Sequence, residues 1–393
     1  MTKSNESLPP KHISDFAKEF DFENLRTFYD YETEDVMKRI AHHPSYHKAM
    51  AYFWPEITEQ QAINKALAIK SAYQFQMEFM DKAIWSIIHK SSTGLTYSGI
   101  EHLDPNKSYL FVANHRDVLL DTAILQVILV KEGHSTSEIT FGSNLMDEDF
   151  IKDFVSMNRM FTIQREGTSK ELYNFSRQLS AYIRHTIMDK NASVWIAQRN
   201  GRTKDGNDVT QTGLLKMLNL SGDKDFEKSF SELNIVPLTI SFEYEPCDVL
   251  KVQETYFTQL ANKYVKAPGE DLMSVFTGIK QPKGKIHVAF GKPIAQELTA
   301  FKDAPNENEK IKLLAALIDK EIHHNYQLNG VNYIAYDVLN KTTTFESKYS
   351  VTEKENFLAY VKMQIAKING KADVLTELFL KLYANPVVNS LVK

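Results

Sequence analysis

The chain has 393 residues and a single cysteine, Cys247, so it forms no internal disulfide and suits a reducing compartment. Its 15 glycines and 12 prolines are too few for a collagen-like or low-complexity chain. It also lacks a long apolar run: Val118 to Val130 is the most apolar stretch, thirteen residues that include Asp121. A spanning helix needs roughly 20 apolar residues. The opening MTKSNESLPPKHISDF has no apolar core of the signal-peptide kind. A strong excess of one charge is missing too, since 46 basic residues stand against 50 acidic ones, net −4. That balance argues against a general nucleic-acid binder, whose affinity rests on a basic surface. What is present is globular: 43% hydrophobic, 24% charged and 11% aromatic residues, enough apolar side chains for a large core.

The organisation reads as an α/β centre between two helical flanks. Met1 to Pro10 is polar, ends in two prolines and reads as a loose leader. From Gln60 to Ile88, Ala66, Ile69, Tyr73, Met77, Met80, Ile84 and Ile87 recur at three- and four-residue steps, which predicts one long helix whose stripe packs in the core or meets a membrane. Short branched and aromatic runs predict strands at Tyr109–Ala113, Ile139–Phe141, Met160–Ile163, Ser193–Ala197, Ile235–Ser241 and Ile286–Phe290. Helices are expected between them at Val118–Glu132, Ser169–Met188 and Thr210–Leu220. The alternation implies a mixed, largely parallel sheet covered by helices, with helical N- and C-terminal extensions. Three regions are expected: a helical 1–90, an α/β unit 91–300 and a helical 301–393. In the last, Ile311–Tyr326 is amphipathic, Thr352 with Glu355 has capping-box spacing before a helix that stops at Asn369-Gly370, and Lys371–Tyr383 reads as a final helix.

Residues suited to chemistry follow the predicted strands, where parallel sheets place their sites. After the first come Asn114 and His115, then Asp117 and Asp121. A histidine held in one tautomer by a carboxylate can act as a general base, whereas Asn114 or Asp117 could equally cap the next helix. A second strand stops at Gln164-Arg165. A third opens into Arg199, Gly201, Arg202 and Lys204. Glycine lets backbone approach a ligand and guanidinium groups bind phosphate bidentately, so Arg165, Arg199, Arg202 and Lys204 would form a phosphate site beside His115 if the strand ends converge. The alternative is a set of solvated turns. A fourth strand carries Pro237, then Phe242-Glu243-Tyr244-Glu245, and proline confines that point to a strand start, edge or bulge.

The order of these four blocks, over about Leu110 to Glu245, resembles the glycerolipid acyltransferase superfamily. That family has an Asn-His pair with an Asp after it, a strand ending in Phe-Ile-x-Arg, a Glu-Gly-x-Arg block and a Val-Pro strand. Here Asn114-His115, Phe161 and Ile163 with Arg165, Gln198 to Arg202, and Val236-Pro237 stand at those places. Two departures stand out. Asp121 lies six residues after His115, where the family spacing is five and Leu120 stands here, so either a bulge brings Asp121 to the histidine or Asp117 replaces it. Asn or Gln also stands where the family has Glu.

The resemblance implies transfer of a fatty acyl group from an acyl thioester to a hydroxyl of glycerol-3-phosphate or 1-acylglycerol-3-phosphate. His115 is the expected base, Asp121 its partner, and Arg165, Arg202 and Lys204 hold the acceptor phosphate with Asn114, Arg199 and Gly201 beside them. No cofactor is expected beyond the co-substrate, acyl-coenzyme A or acyl carrier protein thioester. The expected place is cytoplasmic, peripherally on the inner face of a membrane through an apolar face of the N-terminal flank. The alternative is a non-catalytic lipid-binding or scaffold protein on the same fold.

Other readings are weaker. His115-Arg116-Asp117 also opens a kinase catalytic loop, but Thr122 stands at the kinase asparagine and no Asp-Phe-Gly or glycine-rich phosphate loop occurs. His42, His43 and His47, and His323-His324, lack an interposed carboxylate of the zinc-helix kind and are read as packing or solvated histidines; no metal is expected. Cys247 follows Pro246 with no nearby histidine and is not expected to be a nucleophile.

Overall fold

The computed structural model describes all residues except 1–5, 143–148, 165, 262, 268 and 392–393. Its centre is a seven-stranded sheet of β1 (Ser92–Ser98), β2 (Leu110–Ala113), β3 (Glu138–Gly142), β4 (Met160–Ile163), β5 (Val194–Ala197), β6 (Ile235–Phe242) and β7 (Gly284–Phe290). The spatial order is β1-β7-β6-β2-β5-β3-β4. Five strands, β6 to β4, run parallel, whereas β7 is antiparallel to β6 and carries β1 parallel beside it. The expected mixed, largely parallel α/β sheet with helices before and after it is therefore observed. β1 has no counterpart in the sequence reading. Its residues STGLTYS are polar and mostly exposed on an edge, so they carry no apolar run to signal a strand.

Alternation along the buried strands divides two cores. Phe111, Ala113 and Trp195 join one cluster with the helix Leu120–Lys131, while Leu110, Val112, Val194 and Ile196 face another with the helix Ser169–Met188. The second helix begins at a capping box in which Thr168 and Glu171 satisfy each other's backbone N–H groups. Pro237 sits in the interior strand β6, and β7 begins its pairing with β6 only at Leu238, so the missing N–H disrupts no ladder on that side.

The flanks depart from the sequence reading in several places. The long N-terminal helix is two: Glu59–Leu67 ends, and a second runs from Ala72 to Ser91 through a π-helical segment at Gln76–Asp81. Most of its stripe is core: Ala66, Ile69, Ile84 and Ile87 are buried, and Tyr73, Met77 and Met80 are half-buried. The leader is pinned from Ser7, whose hydroxyl donates to Phe28 O and whose N–H donates to Asp30. The C-terminal capping box is Ser350 with Glu353, not Thr352 with Glu355, and its helix ends at Ile365 rather than at Asn369-Gly370. The final helix, Ala372–Leu391, continues through Pro386. Four helices inside the α/β region, Asp149–Met157, Phe226–Ser231, Asp248–Ala261 and Glu270–Lys280, have no counterpart in the sequence reading.

Candidate active site

The carboxyl ends of β2, β3, β4 and β5 lie side by side, which brings the segments after them together. From β2 the chain leaves through Asn114 and His115 into a non-helical turn, and the helix starts at Leu120. Asp121, in that helix's first turn, points back at the turn. Its Oδ2 lies 2.8 Å from His115 Nδ1 and accepts the N–H groups of Arg116 at 2.5 Å and Asp117 at 2.9 Å. The extra residue between His115 and Asp121 is taken up in this turn. Asp117 does not reach the imidazole: its Oδ1 accepts the N–H groups of Leu119 and Leu120, capping the helix. Its other oxygen lies against the helix Glu270–Lys280, where a Cβ on Gly278 would come within 2.2 Å of it. Burial, followed by the charge of Asp121, raises the Asp117 pKa.

With Nδ1 taken by Asp121, Nε2 is the nitrogen that His115 offers to solvent or substrate. The ring packs edge-on against Trp195, centroids 5.4 Å apart, and borders a cavity of about 420 Å³. Apolar side chains such as Ile139, Phe141, Leu172, Phe175 and Met217 form most of its wall, and Arg199, Asn200 and Gly201 line the same space. A hydrocarbon chain and a polar group can therefore meet at one imidazole. Gly201 has φ +73°, a conformation that glycine adopts without strain, and Thr203 N donates to His115 O at 2.9 Å, fastening this loop to the histidine.

Not every residue singled out in the sequence reaches the cavity. Asn114 is fully buried and fastens strands: its amide donates to Ile240 O and to Asp208, and its Oδ1 accepts Ile240 N. It therefore does not face a ligand. Arg202 is buried beside Asp117 and Cys247 rather than lining the cavity. Lys204 forms an ion pair with Glu254, and burial together with Arg202 lowers its pKa to about 8. Of the four cations read as one cluster, Arg199 is the one described residue that lines the cavity, and Arg165 lies outside the described residues. The Cys247 thiol donates to Ser274 O, and burial pushes it up to about 11, which leaves it a poor nucleophile at neutral pH. His43 accepts Ser45 N–H and caps a helix.

The sequence reading passed over the layer beneath the histidine. Arg116 is completely buried, pairs with Asp208 and Glu245, and lies over the Tyr326 ring at 4.9 Å. Lys251 donates to Glu245 Oε1 at 2.5 Å and to Arg116 O at 2.6 Å. Asp248 accepts the hydroxyls of Tyr360 and Tyr383, and Tyr383 also takes Glu245 N–H. The C-terminal helices are thus joined by hydrogen bonds to the His115 turn. The sequence signal was available in the acidic pair of Phe242-Glu243-Tyr244-Glu245, which lies after a strand.

A second buried cation gives a stability test. Lys283 is fully buried, donates to Ser91 Oγ and Gln281 O, and burial lowers its pKa to about 8. Between pH 8 and about 10 the unfolded chain holds this proton more tightly than the folded one, so stability gains from rising pH in that window. The stability difference between Lys283→Met and wild type is expected to change by up to about 3 kcal/mol across it, measured by urea unfolding at each pH.

Residues 94–241 match the family model described as Acyltransferase, a span that includes the His115 turn and the 198–204 loop. A glycerol-3-phosphate acyltransferase of Pseudomonas fluorescens (strain SBW25) is 25% identical over 310 residues, 73% of this chain and 35% of its own length. One of Ectopseudomonas mendocina (strain ymp) is 22% identical over 333 residues, 78% of this chain and 38% of its own. The chain thus spans little more than a third of these relatives. A crystal structure of the 1-acyl-sn-glycerophosphate acyltransferase from Thermotoga maritima aligns with a TM-score of 0.38 at 9% identity, over 73% of this chain and 95% of that one.

Proposed function

We propose that this chain, whose residues 94–241 match the acyltransferase family model, is a glycerolipid acyltransferase that transfers a fatty acyl group from an acyl thioester to a hydroxyl of a phosphorylated glycerol. The observation that carries the reading is the His115–Asp121 pair at 2.8 Å, bordering an apolar cavity that Arg199 also lines. His115 Nε2 takes the proton of the acceptor hydroxyl as that oxygen attacks the thioester carbonyl. Asp121 holds the tautomer and balances the charge that develops on the ring. The C–S bond then breaks, and the leaving thiolate takes the proton back from His115, so no acyl-enzyme forms. Arg199 holds the acceptor phosphate so that binding energy positions the hydroxyl, and Arg165, which lies outside the described residues, is assigned to the same phosphate by the family resemblance alone. Arg202 and Lys204 act on this loop from behind, through its packing. The reaction needs no cofactor beyond the thioester.

The acceptor is read from the relatives' names. The acceptor is glycerol-3-phosphate, as named for the Pseudomonas proteins, rather than its monoacyl form. No described helix is long and apolar enough to cross a membrane, and the hydrophobic product supports peripheral attachment to the cytoplasmic face of one. The test crosses two acceptors, glycerol-3-phosphate and 1-acylglycerol-3-phosphate, with two donors, acyl-coenzyme A and acyl carrier protein thioester, and identifies the product by mass spectrometry. Monoacylglycerol phosphate from the first acceptor is expected. Turnover of the monoacyl acceptor alone would overturn the assignment.

A further inference from the structure

An open apolar groove lies outside the cavity of His115. It is about 750 Å³, between the helices Glu270–Lys280 and Val351–Ile365, with Tyr244, Val249 and Pro282 in its wall. Met273, Phe276 and Met363 line it and are 57%, 50% and 55% exposed, values that place large apolar side chains in water with no partner. Leu272, 54% exposed, precedes Met273 on the same helix, and Leu260 and Val265 are exposed on the chain leading to it. Such a cluster on a folded protein marks an interaction surface.

The helix has two unlike sides. Ser274 and Gly278, four residues apart, face inward: Ser274 O accepts the Cys247 thiol, and Gly278 packs on Asp117 so closely that a Cβ there would come within 2.2 Å of the carboxylate. Leu272, Met273 and Phe276 point outward at helical spacing, with Lys280 one turn further along. Lys280 and Lys367 border the groove, and Lys263 is exposed nearby. The two acidic residues of the helix's first turn are already engaged, Asp271 with Lys266 and Glu270 with the Tyr264 hydroxyl. Lys367 donates to the Gln364 side chain, Asp248 in the groove wall is held by the Tyr360 and Tyr383 hydroxyls, and no described ion pair involves Lys280 or Lys367, so an apolar ridge flanked by lysines is complementary to a surface with anionic headgroups over hydrocarbon.

We infer that the outward face of Glu270–Lys280, with Met363, docks the chain on an anionic lipid bilayer and so holds the His115 turn, one side chain behind Gly278, at the membrane surface. The choice of a bilayer as occupant rests on the acyl-transfer reading; the surface itself does not. This face is more exposed than the N-terminal stripe, of which Ala66, Ile69, Ile84 and Ile87 are buried.

The test is co-sedimentation of the full chain with vesicles of phosphatidylglycerol and phosphatidylcholine, and of phosphatidylcholine alone. Wild type is expected to bind the anionic vesicles more tightly. The double variant Met273→Glu/Phe276→Glu should lose at least about tenfold in partition, because two apolar side chains no longer insert and two like charges are added. Lys280→Glu/Lys367→Glu should lose binding to the anionic vesicles only. Leu313→Glu, on an exposed position of a different helix, should bind as wild type does. Thermal midpoints check that each variant folds, and acyl transfer to dissolved glycerol-3-phosphate, retained by the Met273/Phe276 variant, separates failure of docking from failure of the proposed reaction. Wild type that ignores vesicles, or binding that survives the double variant, overturns the inference. So does wild type that self-associates through this face, seen as dimers in sedimentation velocity that the double variant abolishes.

Discussion

Purified His115→Ala is expected to transfer acyl groups with kcat lowered by about 10²–10⁴, the range a positioned general base contributes. Affinity for glycerol-3-phosphate, measured by calorimetry, should stay near the wild-type value, since Arg199 and the 199–201 loop remain. The loss belongs to the imidazole and not to the fold: His115 lies at the cavity edge, while the turn is held by bonds that do not need its ring. Those are Asp121 Oδ2 to the N–H groups of Arg116 and Asp117, and Thr203 N to His115 O. The two carboxylates nearby separate the orienting role from the capping role. Asp121→Asn keeps an oxygen for the turn but no longer charge-balances an imidazolium, and should lower kcat with KM little changed. Asp117→Asn keeps Oδ1 as a helix cap and stays out of reach of the ring, so kcat should remain within a few-fold. Equal losses in the two would mean that Asp121 is not the partner of His115.

Arg116→Ala is expected to lower unfolding free energy by about 3–5 kcal/mol, measured by urea denaturation. The magnitude comes from what remains. Asp208 and Glu245 are both buried, and without the guanidinium Asp208 has lost its counter-charge, while Glu245 keeps only Lys251. The ring of Tyr326 and the carbonyl of Gly206 also lose their partner. Combining the change with Asp208→Asn should recover part of the loss, because one stranded charge is removed; no recovery would place the cost elsewhere, in packing around the vacated side chain. Since Arg116 lies between His115 and Asp117, the same variant should lower kcat as the turn loosens.

How far the sequence reveals this arrangement differs from residue to residue. Strands such as Met160–Ile163, and the helix Ser169–Met188, are legible because they are apolar runs or periodic segments with caps, and local signals decide them. β1 is not, because its pairing with β7 joins residues 191 to 192 apart in the chain and an exposed edge needs no apolar pattern. The long N-terminal helix fails for a related reason: a stripe at three- and four-residue steps continues across the break at Ala68–Ser71, where Ser71 caps a new helix. At the site, His115 and Asp121 are legible as types, yet the chain favours Asp121 over Asp117 only through the family resemblance. The choice depends on a turn that absorbs one extra residue and points one carboxylate at the ring and the other at a distant helix.

The cations show the limit more sharply. Arg199, Arg202 and Lys204 are close in sequence and look like one cluster, but successive residues of a loop point in different directions. Arg199 lines the cavity, Arg202 turns to Asp117 and Cys247, and Lys204 meets Glu254 on a helix that the sequence reading had not placed. Arg116, inside the recognised motif, is fully buried. Its counter-ions, Asp208 and Glu245, lie 92 and 129 residues away, so burial and pairing depend on tertiary structure and not on local pattern.

The most direct test of the central claim follows two quantities in one reaction: thiol released from the acyl thioester and ester formed on glycerol-3-phosphate. The proposed chemistry predicts that they appear one for one with wild type, that neither accumulates without acceptor, and that both fall together in His115→Ala. Binding of acceptor and thioester with no thiol released would indicate a non-catalytic lipid-binding protein, and thiol released without ester would indicate a thioesterase. Either result would contradict acyl transfer by the His115–Asp121 pair.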